Sequence, residues 1–556
     1  MKKRKFVIIY PLLCSSVLMT ALLGPLAAPV SVYAASAASE ASEAAAEEAA
    51  DVEQGSVSGN SQVSQAVLPP ELILSKCYLL ESENYESIAD GYFQAALLSE
   101  ESAKKYPALS SALSVLNAQI AASCREDFKE LADKSRQYNA DNGINDEYRA
   151  SATFESRIVP VRQDDKAVSF FTSCYSFLPG AAGGTTTFRG VTLDTASGRI
   201  VSLEDVIKDL NDKKALVAAV NENLRFLSTG DSAGDREESI SEALASENFF
   251  PSWVVSDNGV IFRFDPGAIS TEEEGAVEAE ISFEKYPGLF TGAYEPHKGA
   301  YTLPVDTVYP VMADLNGDGT SEKVSLNARP DNSGEIGSYT ALRVAVGDKE
   351  CLHETYFFNA RGVLIHTDAG KSYLYVQTIT DNDYRITCIF DLSGEAPVFL
   401  GELNGTGFSA RFRRDSSDPD LWYMDEQFIS SPDSFCLDTH MDLMSTYSAT
   451  ARYRVGEDGM PVLLSEEYMI DSYLELTSLT DLPADIVDPA TGAVTKPDAV
   501  LPKGSKCSLY RTNGKDSVDV RTADGVIYRF IVTEEWPQKV NGLRLDQAFD
   551  GTMFAG

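Results

Sequence analysis

From residue 300 onward the chain follows one local pattern: short apolar–polar runs cut by turns such as NGDG, DNSGEIG, TDAGK, DNDY, DLSGE, GEDG and ATGA. Side chains alternate faces along a strand, so each run can bury one face, while Gly and Asx residues supply the backbone angles that tight turns need. Helical periodicity is nearly absent, so this part of the chain must fold as β-sheets. No fixed repeat period is present, which leaves a sandwich and a propeller-like array both open over 300–495. The stretch 496–556 contains LPKGSKCSLYRTNGKDSVDVRTADGVIYRFIV, with strands short enough for a small SH3-like β barrel.

Residues 68–295 read differently. An opening strand is expected over Glu71 to Leu80. Leu109, Leu113, Leu116, Ile120, Cys124, Phe128 and Leu131 then recur at three- and four-residue steps, one face of a helix. Strands follow at TFESRIVPVR, KAVSFFTSCYSFL and TTTFRGVTLDTASGRIVSL. Ser202 and Asp205 cap a helix predicted to run through Val206, Leu210, Leu216, Val220 and Leu224, and further strands come at WVVSDNGVIFRFD and AVEAEISFE. This mixture is α+β, and Tyr294–Gly299 marks its end. The expected fold is therefore multi-domain: an α+β domain, an all-β domain and a small SH3-like barrel. A chain of 556 residues exceeds a single core.

The N-terminus has the layout of a secretory signal over 1–34: Lys2, Lys3, Arg4 and Lys5, an apolar stretch, then small residues around Val32 and Ala34. Its apolar stretch is long enough to act as a retained anchor, but Pro11, Pro25 and Pro29 interrupt it and a cleavage site follows. Cleavage leaves a secreted chain with no membrane span, free or associated with the cell envelope. Residues 35–67, Ala-, Ser- and Glu-rich and without aromatics, read as an acidic linker.

The formal charge is −38, and removing the four positive charges of the signal leaves −42. Such a surface repels nucleic acid and anionic lipid and attracts cations and basic proteins. Seven cysteines remain after cleavage, with no CxxC pair, so no thiolate zinc motif is visible and at least one thiol stays unpaired.

The sharpest motif is DLNGDGTSE at 314–322. Asp314, Asn316, Asp318, Thr320 (through its carbonyl) and Glu322 place hard oxygen donors in one loop, a set suited to calcium. Ser325 stands where an EF-hand has its bidentate Glu, and the loop resembles instead those between strands of FG-GAP and VCBS-type repeats. His297, His353, His366 and His440 are expected to be ordinary hydrogen-bonded histidines. Gly230-Asp-Ser-Ala-Gly234, Ser102-Ala-Lys-Lys105 and Ser256-Asp-Asn258 match serine-hydrolase strings, but none has the expected structural context. Trp422, Tyr423, Tyr447, Tyr453 and Trp536 read as core aromatics or as a sugar-stacking platform.

Across 69–290 the feature order resembles the extracytoplasmic domain of RsiV-type anti-sigma factors, also found before the catalytic part of PdaC-type peptidoglycan deacetylases. Phe188, Asp194, Gly198, Leu203 and Asp205, with the later Asp265-Pro266, carry the resemblance. In physical terms they are a strand, a turn and a capped helix. The resemblance implies a domain that senses or binds at the cell wall, with lysozyme as ligand in the RsiV type. Relatives often show Gly-Gly-Ala-His where this chain has Gly180-Ala-Ala-Gly-Gly184. Neither an anti-sigma segment nor a deacetylase domain is recognised. The expected function is a secreted, non-catalytic binding protein of the bacterial envelope, with a cationic protein such as lysozyme or a cell-wall glycan as partner. A lysozyme-binding decoy and a secreted glycan or cell-wall hydrolase are the alternatives.

Overall fold

The computed structural model describes residues 69–144, 150–210, 213–226, 237–245, 251–271, 275–295, 299–307, 310–331, 337–414, 421–472, 474–533 and 535–554. The signal, the linker, Gly230–Gly234 and His297 lie outside the described residues. Among the described residues no helix is long and apolar enough to cross a membrane.

A seven-stranded sheet organises the first region, in the order Ala410–Arg414, Trp422–Gln427, Leu72–Glu83, Glu86–Leu98, Ala152–Gln163, Ala167–Phe177, Thr185–Asp194. Its one parallel pairing joins Glu86–Leu98 to Ala152–Gln163. Parallel neighbours need a crossover, and the helix Pro107–Asp141 supplies it. Leu109, Leu113, Cys124 and Phe128 on its stripe are buried, the last two against Cys77, Phe93 and Phe154. A four-stranded sheet (Leu224–Phe226, Val277–Ser282, Gly259–Phe264, Ser252–Val255) forms a second layer. Val220 of the helix Lys214–Glu222 and Ile240 of the helix Glu237–Ala245 share its core with Phe262 and Ile281.

The continuous helix expected from Ser202 to Leu224 is broken. Asp205 Oδ2 accepts from Ser202 N and Oγ at 2.7 Å each, which caps a single turn, Leu203–Val206. Ile207 then turns extended and bridges Phe290, with Lys208 N donating to Leu289 O and Thr291 N to Val206 O. The apolar spacing does mark buried positions, Val206, Leu216 and Val220, but strand-like pairing with 289–291 outcompetes the helix at Ile207.

Beyond 300 the described chain is almost wholly β. A five-stranded sheet (Tyr301–Val305, Asn359–His366, Ser372–Ile379, Arg385–Asp391, Val398–Asn404) faces a four-stranded one (Val311–Ala313, Glu322–Pro330, Tyr339–Val346, Lys349–Phe357). Leu326, Leu342, Leu364 and Phe390 from the two sheets share one core, the sandwich rather than the propeller. A twelve-stranded sheet takes up the remaining strands from Thr406–Phe408 to the C-terminus, apart from a two-stranded pair at Lys539–Val540 and Leu543–Arg544.

Strand pairing crosses both expected divisions. Ile73–Cys77 pairs with Tyr423–Gln427, and Leu109 and Phe170 share a core with Tyr375 and Phe435. Lys506–Thr512 pairs with Tyr468, Met469 and Glu475–Thr477. The separate SH3-like barrel is therefore not seen: the C-terminal strands are consumed by upstream partners, and no described sheet closes on itself. All seven described cysteines carry free thiols.

Candidate functional site

A cavity of about 440 Å³ lies where the four-stranded layer of the first region meets residues 299–321. Strand geometry builds its floor. Glu278 and Glu280 are two apart on Val277–Ser282 and so share a face. Cross-strand register places Arg225 and Arg263 opposite Glu278 from the two flanking strands. Arg225 Nη2 lies 3.0 Å from Glu278 Oε1 and 3.1 Å from Glu280 Oε2, and Arg263 Nε lies 2.8 Å from Glu278 Oε2. Burial opposes ionisation of Glu278, but Arg263 and Arg225 outweigh it and hold its carboxyl below the usual range. Ser256 Oγ and Ser321 Oγ donate to the two oxygens of Glu280 at 3.0 and 2.9 Å.

The floor is thus neutral, and the walls are not. Arg157, Arg225 and Arg263 line the cavity together with six carboxylates: Asp257, Glu278, Glu280, Glu284, Asp306 and Asp314. Arg157 lies 3.6 Å from Asp306. Subtracting the paired groups leaves Asp257, Glu284 and Asp314 as the acidic surplus. Burial pushes the Asp257 carboxyl up to about 7, with Arg162 opposing and Asp164 and Glu280 adding to the rise. Arg162 is itself held by the buried Asp164 at 2.7 Å. Val159, Ile261, Tyr301 and Leu303 give the cavity its apolar portion.

The DLNGDGTSE loop forms part of the rim, joining Val311–Ala313 to Glu322–Pro330. Asp314 accepts the backbone N–H groups of Gly317 (2.7 Å), Asp318 (3.1 Å) and Gly319 (2.8 Å). Gly317 and Gly319 take φ of +75° and +82°, which closes the turn. Asn316 Nδ2 stands 3.0 Å from Asp318 Oδ2 and 3.4 Å from Glu322 Oε1, and Glu322 Oε2 accepts from Leu315 N at 2.8 Å. Partial burial beside Asp314 and Asp318 raises the Glu322 carboxyl. The amide N–H₂ group of Asn316 thus bridges the carboxylates of Asp318 and Glu322. A Cβ on Gly319 would lie 2.9 Å from Glu284 Oε2, so the loop packs on the wall of the cleft.

The other sequence candidates scatter. His366 stacks on Tyr301 at 4.8 Å, bonds Ser372 Oγ at 2.8 Å and is held below its usual pKa by burial. His440 lies 3.7 Å from Asp442 rather than meeting Asp438. His353 departs from the expectation of an ordinary hydrogen-bonded histidine, because its buried Nε2 has no hydrogen-bond partner. Ser102 sits in a short helix and accepts from Glu71 N. The aromatics lie apart: Tyr447 and Tyr453 are buried, Arg413 and Arg414 stack over Tyr423 and the still exposed Trp422, and the exposed Trp536 packs edge-on against Phe554. The sequence singles out Ser256-Asp-Asn258 only as a serine-hydrolase string, and Asp257, Arg225, Arg263, Glu278 and Glu280 are not among its candidates. A signal existed: acids at alternate positions in VEAEIS, a strand buried along its whole length.

No family model matches the chain, and no curated protein matches it. Among solved structures it is similar to a DUF3298 family member from Bacteroides fragilis, at 15% identity and a TM-score of 0.28, covering 40% of this chain and 94% of that one. A DUF3298 family protein from Pseudomonas aeruginosa is similar at 15% identity and a TM-score of 0.27, covering 42% of this chain and 98% of that one.

Proposed function

We propose that this protein is a secreted, non-catalytic binding protein of the bacterial envelope, and that the cleft takes a cationic group from a basic protein ligand. The acidic surplus of Asp257, Glu284 and Asp314 beside a neutralised floor carries the reading. Unpaired carboxylates in a partly apolar cavity favour a positive group that can shed its water, such as a Lys or Arg side chain. Lysozyme is the partner implied by the RsiV-type resemblance, and the mature charge of −42 would steer it in. Calcium held by Asp314, Asn316, Asp318, Thr320 and Glu322 would stiffen the rim and take up the Asp314 charge, leaving Asp257 and Glu284 for the cationic group.

Surface plasmon resonance with lysozyme at physiological salt tests this. The whole mature chain is needed, because a cut at 295 would strip Trp422–Gln427 from its sheet. Asp257→Asn/Glu284→Gln should weaken binding on the order of tenfold, whereas the charge-matched exposed pair Glu457→Gln/Glu466→Gln should not. Equal loss in both would reduce the attraction to bulk charge.

One observation favours a hydrolase as the second reading: a carboxyl at about 7 in a cleft suits a general acid. Release of soluble sugar from peptidoglycan, abolished by Asp257→Asn, would establish it over binding.

A further inference from the structure

We propose a zinc site at His353, Cys388 and Glu402, separate from the cleft and joining the two sheets of the sandwich. Cys388 and Glu402 are cross-strand partners on Arg385–Asp391 and Val398–Asn404, so both side chains leave the same face of the five-stranded sheet. His353 comes from Lys349–Phe357, at the edge of the other sheet. Its imidazole is stacked on Phe399 at 3.8 Å and 16°, with Phe390 edge-on at 6.3 Å, and this clamps the ring orientation.

One ligand atom from each of the three residues lies within 4.8 Å of the others. Tetrahedral zinc, with bonds of about 2.0–2.3 Å, needs ligand atoms roughly 3.3–3.8 Å apart, a contraction that side-chain rotation supplies. The orphaned nitrogen gives independent support. His353 Nε2 is buried and unpartnered, 3.5 Å from Glu402 Oε2 without making a hydrogen bond. Buried polar atoms are normally satisfied, and a cation between these groups would satisfy this one.

The donor set selects the metal. Thiolate and imidazole suit zinc and disfavour calcium and magnesium, while the exposed Glu402 leaves room for water as a fourth ligand. On binding, Cys388 forms an S–Zn bond and its S–H proton goes to solvent. No spacing motif announces the site, because its ligands are 35 and 14 residues apart along the chain.

Cobalt(II) titration of the chelator-treated full mature chain tests the proposal. A thiolate-to-cobalt charge-transfer band should saturate at one equivalent and vanish on addition of zinc. The calcium-type loop has no thiol and cannot produce that band. Cys388→Ser should abolish it, and Glu402→Gln, at an exposed position, should weaken binding on the order of tenfold or more. No band, or a band that survives Cys388→Ser, overturns the proposal. Should Cys388→Ser not fold, unchanged affinity in Glu402→Gln overturns it instead.

Discussion

Two of the described clusters that bury arginine against carboxylate differ in what is left over. Near the C-terminus Asp519 receives Arg511 and Arg529 at 2.7–2.9 Å, while Arg511 also reaches Glu467 at 3.2 Å. Two positive and two negative charges close on themselves, and Asp519 is only 1% exposed. The floor of the cleft uses the same chemistry, with Glu278 between Arg225 and Arg263. There, however, the cavity opens above the cluster, and Asp257, Glu284 and Asp314 stand outside the arginine pairs of its lining. Buried ion pairs are weak evidence for stability or for function by themselves. The unpaired remainder separates a structural cluster from a candidate site.

The comparison breaks most directly at the sealed cluster. Asp519→Ala takes the shared carboxylate from the buried Arg511 and from Arg529, and should cost about 3–5 kcal/mol in urea unfolding. Lysozyme affinity of the folded fraction should not change. Loss of affinity at constant stability would mean that the two clusters have been assigned the wrong way round.

Gly198 provides a structural control of smaller size. It takes φ of +70°, and a Cβ there would lie 2.5 Å from Ala108 O. Gly198→Val should cost about 1–3 kcal/mol from the backbone angle alone, plus the clash with the helix, without altering affinity at temperatures where the protein stays folded. The turn was legible in sequence because its chemistry is local: Asp194 Oδ1 accepts Ser197 N at 2.8 Å, and Gly198 alone tolerates the angle. The link from Phe188 N to Asp265 Oδ1 (2.9 Å) is less local but joins two of the positions that carried the family resemblance. What could not be read was set by register between distant strands. Neither Arg225 nor Arg263 announces that Glu278 will lie between them, and Leu72–Glu83 carries no sign that its outer neighbour arrives some 350 residues later. The helix break at Ile207 has the same origin, since Phe290 is remote in sequence.

The cleft should show its surplus as a pH dependence of stability. The folded pKa of Asp257 is raised to about 7 from its ordinary value of 3.8, so between these limits the folded state binds more protons than the unfolded one. The contribution is therefore stabilising at low pH and is lost as pH rises through about 7. Asp257→Asn should flatten that part of the wild-type curve and leave the protein more stable than wild type at about pH 8. Identical curves would remove Asp257 from the account.

The smallest effect is expected at the rim. Calcium in excess should raise the unfolding temperature by a few degrees, growing with concentration, and Asp318→Ala should remove the response. A melting curve indifferent to calcium and to chelator would leave the loop as a plain acidic turn.

The central claim is that the unpaired carboxylates of the cleft hold a cationic ligand. Calorimetric titration of the full mature chain with lysozyme, at about pH 6 and about pH 8, tests it most directly. Ionisation of Asp257 across that interval should tighten wild-type binding by up to about tenfold, and Asp257→Asn should lose that gain, any titration of the ligand itself being common to both proteins. The same pH response in wild type and variant would contradict the claim.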